Sequence, residues 1–554
     1  MSLFNKNKKS GNNEKETNKA NKINKSSESD SSENKAQKEK SNSEQNKKAN
    51  FDKAVNKKSN ELTDNKDNNN EKKLSSSFEE NIETINDLFN GDDTIVKRHF
   101  QNEHGLKFYL FYSDGLVNSI VLNQHIMQPL LECEVKKSKD SIENLLNRVI
   151  NVSETKVVSK LNDIVQSVNY GDTVLLVDGQ DHAVIMSSKS FFMRSVTEPQ
   201  SEISLEGPRE GFTEVLLANL SLVKRKLRSE NLKMKYVNLG KVTHTQACIC
   251  YIDGIVNEKV LKEITSRIEK IDIDGVFDVN YISELTRTMP YSLFRQSGIT
   301  EKPDTVAAKL LEGRVALFVD GSPVVMTVPY LFIENFQTSD DYYTNFFYGS
   351  IARFLKVISF FFSIIAPAFY VALVAFHKEM LPTVFFINIA TERAGVPFPV
   401  VVEMVLVLVI FDLLREAGLR MPSNIGTALS IVGALVIGQA AVQAKLIDSA
   451  VIIIVAFSAI TGLVNAKMFG PVIIIRLVFI VATGIFGLFG LTLAIAALSI
   501  HIYNLDSYGV PQIQYFEEFK FQNYKDYVIR SSWTNMKKRP NITENRTRMN
   551  VNNE

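Results

Sequence analysis

The chain has 554 residues, with 63 Lys and Arg against 62 Asp and Glu, so its net charge of +1 gives no reason to expect a nucleic-acid partner. Its three cysteines, Cys133, Cys248 and Cys250, are too few and too closely or oddly spaced for a disulfide framework or a zinc knuckle. They read as ordinary thiols of a reducing compartment.

Residues 1–77 are dominated by Lys, Asn, Ser and Glu, and their aromatics are Phe4 and Phe51. Such a segment buries too little apolar surface to offset chain entropy, so a disordered polar tail is expected. The opening Met-Ser-Leu-Phe-Asn-Lys lacks the apolar run of a secretory signal, so the domain after the tail is expected on the cytosolic side.

Ser77 and Glu80 form a capping-box pattern, and Phe78, Ile82, Ile85 and Phe89 then recur at helical spacing up to Gly91. A set of elements follows twice. The first has a strand over 108–112, Asp114-Gly115, a stretch over 116–131, strands over 171–177 and 183–186, and Asp178-Gly179 between them. The second has a strand over 247–251, Asp253-Gly254, a helix over 258–271, strands over 313–319 and 324–328, and Asp320-Gly321 between them. All four Asp-Gly pairs are expected to be tight hairpin turns, which explains their aspartates without catalysis. Two similar α/β subdomains result, over 78–200 and 201–350. At the junction, Pro208 suits a first helical position, with Arg209 and Glu210 after it. The helix that follows ends in Lys224, Arg225, Lys226 and Arg228, which read as a surface cap or as a contact for anionic lipid or a partner.

From 351 to 504 the chain is apolar enough for an all-α multi-span membrane bundle. The expected spans are 354–376 with a kink at Pro367, 399–414, 425–441, 446–464 and 471–500. A short run over 381–390, bracketed by Pro382 and by Pro397 and Pro399, reads as broken or re-entrant backbone. Glu403, Asp412 and Arg476 are candidate pore or intramembrane charges. A Glu403–Arg476 ion pair is the structural alternative, and Asp412 is expected near a span end. Gly433 and Gly438, and the stripe Gly484, Gly487 and Gly490, are candidate helix-packing positions. Residues 505–554 form a basic tail, which favours a cytosolic C-terminus. No nucleotide-binding or catalytic signature occurs, so neither an enzyme nor a cofactor is expected.

Several segments are similar to the A subunit of GerA-type spore germinant receptors. They include Gly207-Pro-Arg-Glu-Gly-Phe212, Cys250-Tyr-Ile-Asp-Gly-Ile-Val-Asn257, Leu310-Leu-Glu-Gly-Arg-Val-Ala316 and Phe376-His-Lys-Glu-Met380. Val396-Pro-Phe-Pro399, Leu414-Arg-Glu-Ala-Gly-Leu-Arg420 and Ile431-Val-Gly-Ala-Leu-Val-Ile-Gly438 continue the match. Thr391-Glu-Arg-Ala394 departs from it, since Arg-Glu is expected directly before the Val-Pro-Phe-Pro segment. The resemblance implies a multi-pass protein of the spore inner membrane. It would act with a transporter-like B subunit and a C-subunit lipoprotein, self-associate, and open an ion path when nutrient binds. A secondary transporter subunit and a non-conducting membrane scaffold are the alternatives. The transporter predicts a pair of interrupted helices in two halves.

Overall fold

A computed structural model describes residues 73–138, 141–190, 202, 206–420, 438–513, 526–527, 529–536 and 539. The described residues begin slightly before the expected helix cap, where Lys73 bridges to Lys160 and Leu74 is buried. The remainder of the polar tail lies outside the described residues.

The first subdomain opens with α1 (Phe78–Leu88), whose cap is the predicted one, Ser77 accepting from the Glu80 amide. Then come β1 (Ile95–Gln101), β2 (Lys107–Ser113), a π-helical stretch (Val121–Met127) running into α2 (Gln128–Glu132), and α3 (Ser141–Arg148). The chain continues through β3 (Thr155–Val158), α4 (Leu161–Asn169), β4 (Thr173–Val177) and β5 (Ala183–Met186). The second subdomain repeats the order with α5 (Leu216–Lys226), β6 (Leu232–Leu239), β7 (Thr245–Ile252), α6 (Glu258–Glu269) and α7 (Val279–Leu285). It finishes with β8 (Gly298–Thr300), α8 (Pro303–Leu311), β9 (Val315–Val319) and β10 (Val325–Val328). The sheet orders are β1-β2-β4-β5-β3 and β6-β7-β9-β10-β8, one topology used twice, and every pairing is antiparallel.

Alternation along the central strands explains the layers. In β2, Tyr109 and Phe111 face α1 and α4, while Phe108 and Leu110 face the other helical layer. In β7, Cys248, Cys250 and Ile252 face α5 and α8, while Ile249 and Tyr251 face α6 and α7. The two thiols share a face, with sulfurs 3.8 Å apart, and all three cysteines are free and buried.

Three expectations need correction here. Asp178-Gly179 and Asp320-Gly321 are hairpin turns, but Asp114-Gly115 and Asp253-Gly254 carry a strand into a helix. The glycines have positive φ in both settings, so the dipeptide marks the backbone angle and not the partner strand. Pro208 does not start a helix: α5 begins at Leu216, and Pro208 to Glu210 are irregular. The basic end of α5 is not a free surface cap. Lys224 is buried and bonded to Asp92, Thr94 and Ser113 of the first subdomain, Arg225 and Lys226 pair with Glu210, and Arg228 lies over the Tyr170 ring.

A 3-10 turn (Phe332–Phe336) and α9 (Asp340–Tyr343) lead into the helical region. Its helices are α10 (Phe346–Ala375), α11 (Thr383–Arg393), α12 (Val400–Arg420), α13 (Gly438–Gln443), α14 (Ser449–Leu463) and α15 (Phe469–Tyr503). A small hairpin, β11 (Asp506–Ser507) and β12 (Val510–Pro511), follows. Among the described residues two helical stretches, Phe346–Ala375 and Ala466–Tyr503, are long and apolar enough to cross a membrane. The first begins earlier than predicted and carries Pro367 inside it. Most of the span expected over 425–441, with Gly433, lies outside the described residues.

Candidate functional site

The helical region is anchored to the second subdomain at one end, here the near end. Phe360 of α10 packs on Phe332 and Phe336. Glu334 of the same 3-10 turn is buried against Arg314 and Lys309, with the Lys309 bond at 2.6 Å. Burial alone would raise its carboxyl, but Arg314 and Lys309 hold it at about 2. After α15 the chain returns to the same place. The Ser292 hydroxyl meets His501 Nε2 at 3.1 Å, the Tyr330 amide donates to the Ser507 hydroxyl at 2.9 Å, and Tyr508 and Thr286 share a hydroxyl bond of 2.6 Å.

The connection from α14 to α15 is also at the near end, since Asn465 donates to the Lys356 carbonyl at 2.6 Å. Both ends of α15 are therefore near, and the helix must turn back. It does so at Gly487, where φ is 63° and ψ is −142°. A Cβ there would meet Phe376 and His377, just past the far end of α10, at 3.1 and 3.2 Å. Gly490 abuts the Ala482 carbonyl, a residue about 12 Å away in a straight helix. The stripe Gly484, Gly487, Gly490 is thus split between two arms of a helical hairpin. Gly484 does serve close packing, its missing Cβ lying 2.8 Å from Val401 of α12, whereas none of the described residues comes within 4 Å of where a Cβ of Gly438 would lie.

Two charge clusters sit inside this bundle. At the far end, Glu403 is buried and accepts from Arg393 at 2.9 Å and from the backbone amide of Asp448. Arg393 also lies 3.8 Å from the Asp448 carboxylate, which takes the Tyr370 hydroxyl at 3.2 Å and caps α14 through the Ala450 amide. Nearby, Ser449 donates to Glu392. Prolines set this geometry: Pro382 caps α11, and Pro397 and Pro399 form the turn that brings Arg393 back over the first turn of α12. The short segment is a helix here.

Toward the near end, Arg476 is buried and pairs with Asp412 at 2.8 Å and with the Ser458 hydroxyl at 3.2 Å. Ser458 in turn donates to the Ser363 carbonyl at 2.7 Å. Asp412 lies in the second half of α12, and Arg415 lies over the Phe469 ring. Glu403 and Arg476 are therefore both ion-paired, but not to each other. Sequence reasoning missed Arg393, Asp448 and Tyr370. The available signals were the departure at Thr391-Glu-Arg-Ala394 and the Asp448-Ser449 pattern of a helix cap. The arrangement pairs buried charges with one another, and its chemistry is that of ion pairing and hydrogen bonding.

The outer surface of these helices is also apolar. Phe361, Phe369, Leu406, Ile453, Ile474 and Phe489 are exposed. Helices that are apolar both inside and outside match a hydrocarbon environment.

Comparison with known proteins gives a consistent set. The model of the Bacillus/Clostridium GerA spore germination protein family matches residues 83–542. Spore germination protein KA of Bacillus subtilis is 39% identical over 84% of this chain and 87% of its own length. Uncharacterized membrane protein YfkQ of Bacillus subtilis is 36% identical over 87% of this chain and 93% of its own. The crystal structure of the N-terminal domain of the A subunit of the Bacillus megaterium spore germinant receptor GerK3 is 29% identical, covering 47% of this chain and 98% of that one, with a TM-score of 0.39.

Proposed function

The chain belongs to the Bacillus/Clostridium GerA spore germination protein family, and from that premise we propose that it is the A subunit of a nutrient-sensing germination receptor. Its helical region crosses the spore inner membrane several times, the soluble subdomains lie on the cytosolic side, and copies of the chain surround an ion-conducting path. Its partners are a transporter-like B subunit, which binds nutrient, and a C-subunit lipoprotein.

The observation that carries this reading is the bundle itself: an apolar exterior around buried, paired charges. Charges so placed are costly in hydrocarbon, about 2.5–3.5 kcal/mol each at a helix centre, and are retained where a bundle interior or water receives them. Two carboxylates, Glu403 and Asp448, face one guanidinium, Arg393. Glu392 stands beside Asp448 as well, so carboxylates outnumber the guanidinium, and repeated around a ring the surplus negative charge would favour cations. The path runs beside residues 381–412. The soluble region couples to it through Glu334 and the Phe332–Phe336 turn.

Purified full-length chain in vesicles tests this. We expect a symmetric ring with a central opening and cation-selective flux in the presence of its partners. A chain that stays monomeric and passes no ions in the complete receptor sinks the channel reading. The short α11 and the turn at Gly487 of α15 are two departures from simple spanning helices, which suits a transporter as well. Flux that saturates with one solute and stops without it would favour that alternative.

A further inference from the structure

The chain contains one tryptophan, Trp533, and it lies in a segment that comes back to the start of α10. The return is pinned by buried polar groups. Arg353, fully buried in α10, donates to the Asp526 and Tyr527 carbonyls at 2.9 and 3.1 Å and pairs with the Asp526 carboxylate at 3.0 Å. Arg530, also buried, donates to the Thr344 and Tyr342 carbonyls at 2.6 and 3.2 Å, and the Ser350 hydroxyl donates to the Arg530 carbonyl at 3.2 Å. The segment is thus clamped from within, and it turns two large apolar side chains outward: Ile529 is 70% exposed, and Trp533, whose ring also meets that of Tyr342, is 48% exposed, with Asn535 exposed after them.

Beside them, Phe347 and Ile351 of α10 are 67% and 59% exposed, one helical turn apart. Their stripe runs on into the apolar outer face of the same helix. The 30 residues of α10 span about 45 Å, whereas a hydrocarbon core is about 30 Å thick. Roughly ten residues must then project from the core. The near end is where α10 is held to the soluble region, so Phe347 and Ile351 fall at the headgroup level. Tyr503 at the end of α15 and the almost wholly exposed Tyr291 beside it stand at the same end. Aromatic side chains concentrate in that layer.

We propose that the segment carrying Ile529 and Trp533, clamped by Arg353 and Arg530, is a non-spanning membrane anchor. It rests in the headgroup layer on the soluble-domain side and fixes the depth of the soluble region. The occupant of the patch is lipid because the patch is continuous with the apolar flank of α10. This rests on the membrane reading of the helical region given above.

The native chain is its own probe. Full-length protein is reconstituted into phosphatidylcholine–phosphatidylglycerol vesicles whose acyl chains are brominated either near the headgroup or near the bilayer centre, and Trp533 emission is recorded. The expected result is loss of most emission with shallow bromine and little loss with deep bromine. An inserted chain whose emission neither bromine touches overturns the anchor. Quenching by aqueous iodide would then show that Trp533 faces water, and shielding from iodide as well would show that protein covers it. A chain that fails to float with the vesicles overturns the membrane reading itself.

Discussion

Lys224 sits where the two halves of the soluble region meet, at 2% side-chain exposure, with its ammonium 2.9 Å from Asp92 and 3.0 Å from the Ser113 hydroxyl. Removing one member of a buried pair leaves the other charged and unsolvated, which costs about 3–5 kcal/mol. Lys224→Met is therefore expected to lower the melting temperature of the soluble region strongly. Adding Asp92→Leu should recover much of the loss, because no stranded carboxylate remains. Calorimetry on the full chain in detergent checks both, and an unchanged melt in the single variant removes Lys224 as the bolt. Glu334 works similarly at the joint with α10, and it adds a pH signature. Its folded carboxyl is held at about 2 against an ordinary 4.5. A depressed carboxyl contributes stability that is complete above the unfolded value and vanishes as pH falls through the folded one, here on the order of 3 kcal/mol. The joint should weaken between about pH 4.5 and pH 2. Glu334→Gln should flatten that part of the profile, measured as melting temperature against pH.

At the level of elements, Gly487 decides the path of α15. Without its break, 35 helical residues would form a rod of about 50 Å. A β-branched residue at φ 63° is strained by about 1–3 kcal/mol, and its Cβ would press on Phe376 and His377. Gly487→Val should straighten or unfold the hairpin. Single cysteines at Ala466, His377 and Asn504 read this out with an impermeant thiol reagent, since the native cysteines are buried. We expect labelling of Ala466 and Asn504 from one side of the vesicle and of His377 from the other. The valine variant should lose the Asn504 labelling, and unchanged labelling would mean that Gly487 is no turn. None of this was legible in the sequence, because a glycine inside a uniformly apolar run reads equally well as a packing position. The central strands were legible from their continuous apolar runs and Asp-Gly endings. The edge strands were not. β1 reads Ile-Val-Lys-Arg-His-Phe-Gln and β6 reads Leu-Lys-Met-Lys-Tyr-Val-Asn-Leu, with the charges that exposed edges carry. The site was half legible. A charge in an apolar run announces itself, as Glu403 and Arg476 do, but its partner is chosen by tertiary packing. Arg393 reaches Glu403 only because the prolines at 397 and 399 fold the chain back.

Across the described residues, α10 leaves the second subdomain and the second arm of α15 returns to it, so the helical region begins and ends at the same place. A bundle hung in this way from a two-subdomain base can pass a movement of the base to the helices, provided that the far end stays fixed. The far-end cluster is the group that fixes it. Arg393 bridges α11 to α12 through Glu403, and it approaches Asp448 at the start of α14. Three helices thus depend on one guanidinium. The members of the cluster should not be equivalent. Glu403→Gln keeps an oxygen for Arg393 or for the Asp448 amide and removes one carboxylate, so assembly should survive. Arg393→Gln leaves Glu403 and Asp448 as two buried carboxylates without a counter-charge, a loss of about 3–5 kcal/mol. The receptor should then assemble poorly. Adding Glu403→Gln to Arg393→Gln should restore part of the assembly, because only one of the two buried carboxylates then remains. Adding Arg476→Gln should not, because Arg476 belongs to Asp412. Size-exclusion profiles of the four variants separate these outcomes. Equal assembly of all four would show that the cluster holds nothing together. Normal assembly of Glu403→Gln with altered cation preference would place the residual negative charge on the conducting path, and unchanged flux and selectivity would remove it from there.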